Sequence, residues 1–234
     1  KGPSALQQAM DMLCKKAVAA VQNGQTLLVL SDRGADSKHA PIPSLLATAG
    51  VHHHLIREGL RTQTGLVVES GEPREVSHFA LLFGYGAGAV NPYLAFDTLA
   101  GLVREGPLVH TLDNASAEKN FIKAIRKGVI KTMSKMGIST LQGYRGAQIF
   151  EAVGLADEVI ERCFVGTASR LQGVGLDVLE QEALRRHALG YPERGRTHLA
   201  ALPNPGEFHW RSAGERHGWD PVVISSLQAA ARSG

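Results

Sequence analysis

A short, continuous apolar run that ends in polar residues occurs twice in this chain, and it limits the fold more than any other feature. Leu27, Leu28, Val29 and Leu30 lead into Ser31, Asp32 and Arg33, and Leu66, Val67 and Val68 lead into Glu69 and Ser70. Strands that are apolar on both faces read as members of a parallel sheet, where crossover segments cover the strands. The intervening sequence has helical spacing. Leu6, Met10, Leu13, Cys14, Ala17 and Val21 define a first amphipathic helix, stopped by Asn23 and Gly24. Leu45, Leu46, Val51 and Leu55 define a second over 43–58, ended by Gly59, and a third is predicted over 73–83. Ala89, Val90 and Asn91 read as another strand end, followed by a helix over 92–104. Strand and helix in alternation predict an α/β fold of parallel βα units.

In such sheets, ligands and partner loops gather at the carboxyl ends of the strands. Ser31, Asp32, Arg33, Glu69, Ser70 and Asn91 are therefore expected on one rim. Asp113 and Asn114 begin a long predicted helix over 117–135, with Phe121, Ile125, Val129 and Met133 inward. A strand is expected over 136–141 and a helix over 144–153. That strand would place Ser139, Thr140, Gln142 and Tyr144 around its end, either lining a narrow polar passage or capping helices and bonding loops. The pattern weakens after 166, with helices expected over 178–188 and 221–232 and a turn over 203–206.

A chain of 234 residues, 44% of them hydrophobic, can bury roughly 70–75% of the surface exposed when unfolded. Lys and Arg total 25 against 22 Asp and Glu, so the net charge of +3 implies neither a nucleic-acid nor a membrane partner. The two cysteines, Cys14 and Cys163, form no Cys-x-x-Cys and fit a reducing, cytoplasmic setting. No apolar run reaches the roughly 18 residues of a membrane span. The start at Lys1, without an initiator Met, is expected of a piece cut from something longer.

Four local patterns have competing readings. Gly84, Tyr85, Gly86, Ala87 and Gly88 resemble a dinucleotide loop but follow a helix rather than a strand, which fits a tight helix-to-strand turn better. His52, His53 and His54 are consecutive, so on a helix they diverge by about 100° and do not converge on one metal ion. Lys119, Lys123, Lys127, Lys131 and Lys135 form a stripe that is either a solvated face or a contact for an acidic surface. Asp32, Arg33 and Glu69 offer either an acid/base site beside an orienting cation, as in a free-standing α/β enzyme, or an internal salt bridge.

Longer stretches carry a resemblance. Leu30, Ser31, Asp32 and Arg33, then the run Ala40-Pro41-Ile42-Pro43-Ser44-Leu45-Leu46-Ala47, then Val51-His52-His53-His54-Leu55-Ile56-Arg57-Glu58-Gly59 resemble the central domain of glutamate synthases. So does the block Lys131-Thr132-Met133-Ser134-Lys135-Met136-Gly137-Ile138-Ser139-Thr140-Leu141, continuing through Gly143-Tyr144-Arg145-Gly146-Ala147-Gln148-Ile149-Phe150-Glu151. Ser77 departs from the family, which has a histidine there. The resemblance implies an incomplete, TIM-barrel-like central domain over 1–190 and an irregular extension over 191–234 leading toward an FMN-binding domain. It implies a parent enzyme that makes two glutamates from glutamine, 2-oxoglutarate and reductant, using FMN and a 3Fe-4S cluster held elsewhere. Its partners are then the amidotransferase and FMN domains of the same chain, with a small electron-donating subunit or ferredoxin. No catalytic, cofactor or metal residue is carried onto this segment. Its expected task is to hold two sites in register and help enclose an ammonia passage, with Ser31, Asp32, Arg33, Glu69, Asn91, Ser139, Thr140, Gln142 and Tyr144 as passage or interdomain contacts.

Overall fold

The computed structural model describes residues 4–106, 108–109, 111–192, 206 and 209–233. Its chain separates into two units, Lys1–Tyr191 and Pro192–Gly234. In the first, helix α1 (Ala5–Gln22) precedes strand β1 (Leu27–Ser31), helix α2 (Ser44–Arg57), strand β2 (Gly65–Glu69), helix α3 (Val76–Gly84), strand β3 (Ala89–Asn91) and helix α4 (Tyr93–Glu105). The long helix α5 (Asn114–Lys135), the single turn α6 (Leu141–Tyr144), strand β4 (Glu151–Leu155), helix α7 (Asp157–Cys163), strand β5 (Ala168–Val174) and helix α8 (Leu176–Gly190) complete it. In the second unit, α9 (Pro221–Ser233) starts where the Asp220 carboxylate accepts the Val223 amide at 2.8 Å. The expected turn over 203–206 falls mostly outside the described residues.

β1, β2 and β3 form a parallel sheet in chain order, with Leu28 opposite Leu66, Leu30 opposite Val68, and Val68 opposite Val90. These residues face the helices. Leu66 is buried among Cys14, Ala17 and Val21 of α1 and Val51 and Leu55 of α2, while Val68 packs with Leu82 of α3. The alternate residues form the opposite face, where Leu27 and Val29 remain 57% and 56% exposed. A parallel sheet in a complete domain is normally covered on both sides; this one is covered on one.

Local chemistry explains where the elements stop. α1 begins with the Ser4 hydroxyl accepting the Gln7 amide at 3.2 Å, and Glu180 of α8 accepts the Leu6 amide at 2.7 Å. α2 ends at Gly59, whose φ of 69° suits a residue without a Cβ; the Leu60 amide then reaches back to the Leu55 carbonyl at 2.8 Å. The turn at 84–88 is likewise the tight helix-to-strand connection that its small residues predict. A Cβ on Gly86 would lie 2.4 Å from His52 Nδ1.

Two expectations are corrected. The strand predicted over 136–141 does not form, because Gly137 takes φ 71° and closes α5, with the Ile138 amide bonded to the Met133 carbonyl at 3.0 Å. The apolar Ile138 and Leu141 instead pack around buried Phe79, Val129 and Tyr144. The helix predicted over 144–153 is also absent. Positive φ at Gly146 (68°) and Gln148 (54°) breaks the helical path, and the Gly146 amide bonds the Gly84 carbonyl at 3.0 Å. β4 follows and pairs in parallel with β5 as a separate two-stranded sheet with two register shifts. The architecture is thus mixed α/β with short parallel strands in two small sheets.

Leu55 has no exposed surface and lies between α1 and the covered sheet face. Leu55→Ala is expected to cost about 2–5 kcal/mol in urea denaturation, from lost burial plus the residual cavity. A loss well under about 1 kcal/mol would show that α2 is not packed on the sheet in this way.

Candidate functional site

The carboxyl ends of β1, β2 and β3 bring Ser31, Asp32, Arg33, Glu69 and Asn91 into one polar rim. Parallel register sets Ser31 opposite Glu69 and Glu69 opposite Asn91, all pointing to the same side of the sheet. The Glu69 carboxylate accepts from Ser31 Oγ at 2.6 Å, Arg33 Nε at 2.8 Å and Asn91 Nδ2 at 3.2 Å. The Ser31 hydrogen bond, followed by the Arg33 bond, holds the Glu69 carboxyl below its ordinary range. Asp32 accepts from Ser70 Oγ at 2.5 Å, from Tyr93 Oη at 2.7 Å and from the Gly71 amide at 3.1 and 3.2 Å. Burial, and then the bond to Asp32, push the Tyr93 phenol up to about 12. The Arg33 guanidinium lies 4.2 Å above the Tyr93 ring.

This arrangement ties β1 to β2 and to the start of α4. Both rim carboxylates already accept from several donors, which makes them ties between loops and strands; for Glu69 these bonds also favour the ionised form. Tyr93 and Gly71 are members that the sequence reading missed. Tyr93 was within reach of it, two residues beyond Asn91 and at the first position of the next helix, where a side chain can bend back over the strand ends.

Ser139, Thr140, Gln142 and Tyr144 do not join this rim. They lie in and beside α6, following α5 rather than a strand. Thr140 Oγ1 caps α6 by accepting the Gly143 amide at 3.1 Å. Ser139 and Gln142 are exposed, whereas Tyr144 is fully buried and its hydroxyl has no hydrogen-bond partner among the described residues.

The opposite end of the sheet holds a second polar cluster. Arg61 donates from Nε to His52 Nδ1 at 2.8 Å, from Nη1 to the Thr64 carbonyl at 2.7 Å and from Nη2 to the Gly86 carbonyl at 2.8 Å. Arg145 Nη2 reaches the Ala87 carbonyl at 3.3 Å. His52 meets His53 edge-on at 5.0 Å and spends its Nδ1 lone pair on Arg61, an arrangement that clamps a turn. Burial, then the Arg61 charge, bring the His52 imidazole down to about 3.

The two cysteines do not suit an iron-sulfur cluster. Cys14 and Cys163 are buried, and burial raises both thiols away from the thiolate that would bind iron. Among the described residues, no group of three or more His, Cys, Asp or Glu is placed to hold a metal. The concavity beside the rim, about 450 Å³, has mixed charge in its wall, with the Asp32 and Glu72 carboxylates beside the Arg74 and Arg186 guanidiniums. No described helix is long and apolar enough to cross a membrane.

The fold and rim define a parallel α/β body whose strand-end polar groups bind one another. The glutamate synthase central domain family matches residues 1–156, and this chain belongs to that family. It is 45% identical over 233 residues to the NADH-type glutamate synthase of Schizosaccharomyces pombe, a match that takes in 100% of this chain and 11% of that protein. It is 47% identical over 227 residues to the large chain of the NADPH-type glutamate synthase of Bacillus subtilis, covering 97% of this chain and 15% of that one. It is 39% identical over 241 residues to ferredoxin-dependent glutamate synthase 2 of Synechocystis, covering 98% of this chain and 15% of that protein. The chain therefore spans a small fraction of these relatives.

His52 provides a pH test. Its folded-state pKa lies below the ordinary 6.5, so its contribution to stability is complete above that value and is lost as pH falls toward about 3. The His52 imidazole resonances are expected not to titrate between pH 8 and 5. His52→Asn retains an acceptor for Arg61 and should flatten the decline in Tm below pH 6.5. An imidazole titrating near 6.5 in the folded protein would contradict the clamp.

Proposed function

We propose that this chain is a connecting, non-catalytic domain of an enzyme that forms glutamate from glutamine, 2-oxoglutarate and reductant. The observation that carries this reading is the one-sided parallel sheet in a chain that belongs to the glutamate synthase central domain family. The uncovered face, with Leu27, Val29 and Val67 below Ser31, Glu69 and Asn91, is the face that further strands would enclose in a TIM-barrel-like body. Residues 1–190 belong to that body in this reading, and 191–234 are linking sequence.

In this reading, the rim gives neighbouring domains a fixed surface. Ser31, Asp32, Arg33, Glu69 and Asn91 hold three strand ends rigidly, so a partner loop docking there meets a preorganised surface. Exposed Ser139 and Gln142, with Thr140 fixing their turn, supply interdomain contacts close to an ammonia passage, and Tyr144 supports them from within. Chemistry that needs FMN, an iron-sulfur cluster or a cysteine nucleophile belongs to other regions of the parent protein. The electron donor is a nicotinamide or ferredoxin, since relatives named for NADH, NADPH and ferredoxin all match this segment. A free-standing acid/base enzyme centred on Asp32, Arg33 and Glu69 is the weaker reading, because both carboxylates are already filled with donors.

Val29→Asp in the full-length enzyme tests the proposal. If other strands cover this face, an unpaired buried carboxylate should lower stability by about 3 kcal/mol or more. It should also release free ammonia from glutamine in excess of glutamate formed, as read by an ammonia assay beside glutamate production. Unchanged Tm and unchanged coupling would mean that the face is solvent-exposed and encloses nothing. Bulky Ser139→Trp, at an exposed position, is expected to raise ammonia leakage with little change in Tm; tight coupling in that variant would remove residue 139 from the passage or its boundary.

A further inference from the structure

α5 presents two adjacent rows that the proposed function does not use. One is the lysine stripe. Lys119, Lys123, Lys127, Lys131 and Lys135 are all exposed, Arg126 adds a sixth cation, and Glu118 is the only acidic residue on the helix. None of these lysines takes part in a salt bridge among the described residues. The other row is Ile122, Arg126 and Ile130, spaced four apart, in which both isoleucines are 53% exposed. Helical spacing places Lys119 next to Ile122, Lys123 next to Arg126 and Lys127 next to Ile130, because residues three apart are neighbours on the surface.

The isoleucine row is the outer lip of an apolar groove of about 380 Å³ running between α3, α4 and α5. Phe79, Phe83, Phe96 and Phe121 line it, with Phe121 in edge-on contact with both Phe79 and Phe96 at 6.2 and 6.0 Å. Like charges four apart on one helix repel, so this row disfavours the isolated helix unless an opposite charge lies over it. A purely solvated lysine face would not require an aromatic groove at its edge, and a nucleic-acid face would carry exposed aromatic rings among its cations for base stacking. Here the rings lie in the groove, and aliphatic Ile122 and Ile130 stand between them and the lysines.

We infer that the α3–α4–α5 groove and the neighbouring lysine stripe form one docking site for an acidic amphipathic helix of a partner protein. The apolar side of that helix would fill the groove with anchors spaced three or four apart, and its Glu and Asp residues would lie over Lys119, Lys123 and Lys127. Charge complementarity selects the sign of the partner and governs the rate of encounter; the groove fixes its register. This inference does not rest on the glutamate synthase reading, because it uses the lysine row and groove residues of α5 rather than the rim carboxylates, and it needs no product to be formed.

The test uses the full-length protein and three labelled probes in fluorescence anisotropy: a Leu/Glu amphipathic helical peptide, the same peptide with Lys in place of Glu, and a single-stranded oligonucleotide. The Leu/Glu peptide is expected to bind, with affinity falling about tenfold or more as salt rises from about 0.05 to 0.5 M. Lys123→Glu combined with Lys127→Glu should weaken it by a further tenfold or more, and Ile130→Ser should weaken it several-fold, each with unchanged circular dichroism and Tm. The Leu/Lys peptide should not bind. Absence of Leu/Glu binding, or binding insensitive to Ile130→Ser, overturns the inference. Equal or tighter binding of the oligonucleotide that depends on the same lysines overturns it in favour of a nucleic-acid face. Acylation of the free full-length protein gives an independent arm: reactive Lys119, Lys123 and Lys127 support an open site, whereas protection of all three overturns it by showing that another part of the same polypeptide already covers α5.

Discussion

The arrangement of this chain depends on burying one face of a three-stranded parallel sheet. Strand pairing alone does not make such a sheet stable in water; its apolar faces must be removed from solvent. Here α1, α2 and α3 bring Cys14, Ala17, Val21, Val51, Leu55 and Leu82 onto Leu66 and Val68, and this packing sets the direction in which every strand end points. With the helices on one side, Ser31, Glu69 and Asn91 necessarily emerge together on the other. The polar rim is therefore a consequence of the core before it is a feature of any function.

Within that geometry, the ionisable groups are used mainly to fix the backbone. Asp32 joins Ser70, Gly71 and Tyr93, and so ties the end of β1 to the β2 loop and to α4. Glu69 joins Ser31, Arg33 and Asn91 across all three strands. Each carboxylate replaces several waters with several protein donors, an exchange that favours a single loop conformation. A catalytic base needs the opposite condition, a partner that it can exchange during the reaction. Abundance of hydrogen bonds at a strand rim is thus an argument for rigidity there.

The sheet and its covering helices were legible because each residue in them reports its environment directly. Leu6, Met10, Cys14, Ala17 and Val21 repeat at helical spacing and are the residues of α1 that become buried. Ser31, Asp32, Glu69 and Asn91 follow apolar runs and stand at strand ends. Legibility failed where a local apolar run had two possible uses. Ile138 and Leu141 look like strand residues, yet the left-handed turn at Gly137 sends them against the α3 and α5 core. Glu151–Leu155 was hidden because Gly154 interrupts its pattern and Val153, 66% exposed opposite an exposed Leu171, lacks the alternation expected of a half-buried strand. The Arg61 clamp escaped notice for another reason: its partners His52, Thr64 and Gly86 are assembled by the tertiary fold, and nothing in their spacing announces it.

The two ends of the sheet consequently solve the same problem with opposite charges. At the carboxyl end, Asp32 and Glu69 gather amide, hydroxyl and guanidinium donors. At the amino end, Arg61 and Arg145 supply donors to the carbonyls of Thr64, just before β2, and of Gly86 and Ala87, where the chain leaves α3 for β3. Arg61 can lie there half-buried because neutral His52 accepts its remaining Nε proton without adding a second positive charge. A protonated imidazole at that position would face both guanidiniums in a poorly hydrated turn. The low affinity of His52 for a proton and its place in the clamp therefore share one cause: burial beside the 84–88 turn disfavours the charged imidazole, and the neutral ring is the acceptor that Arg61 uses.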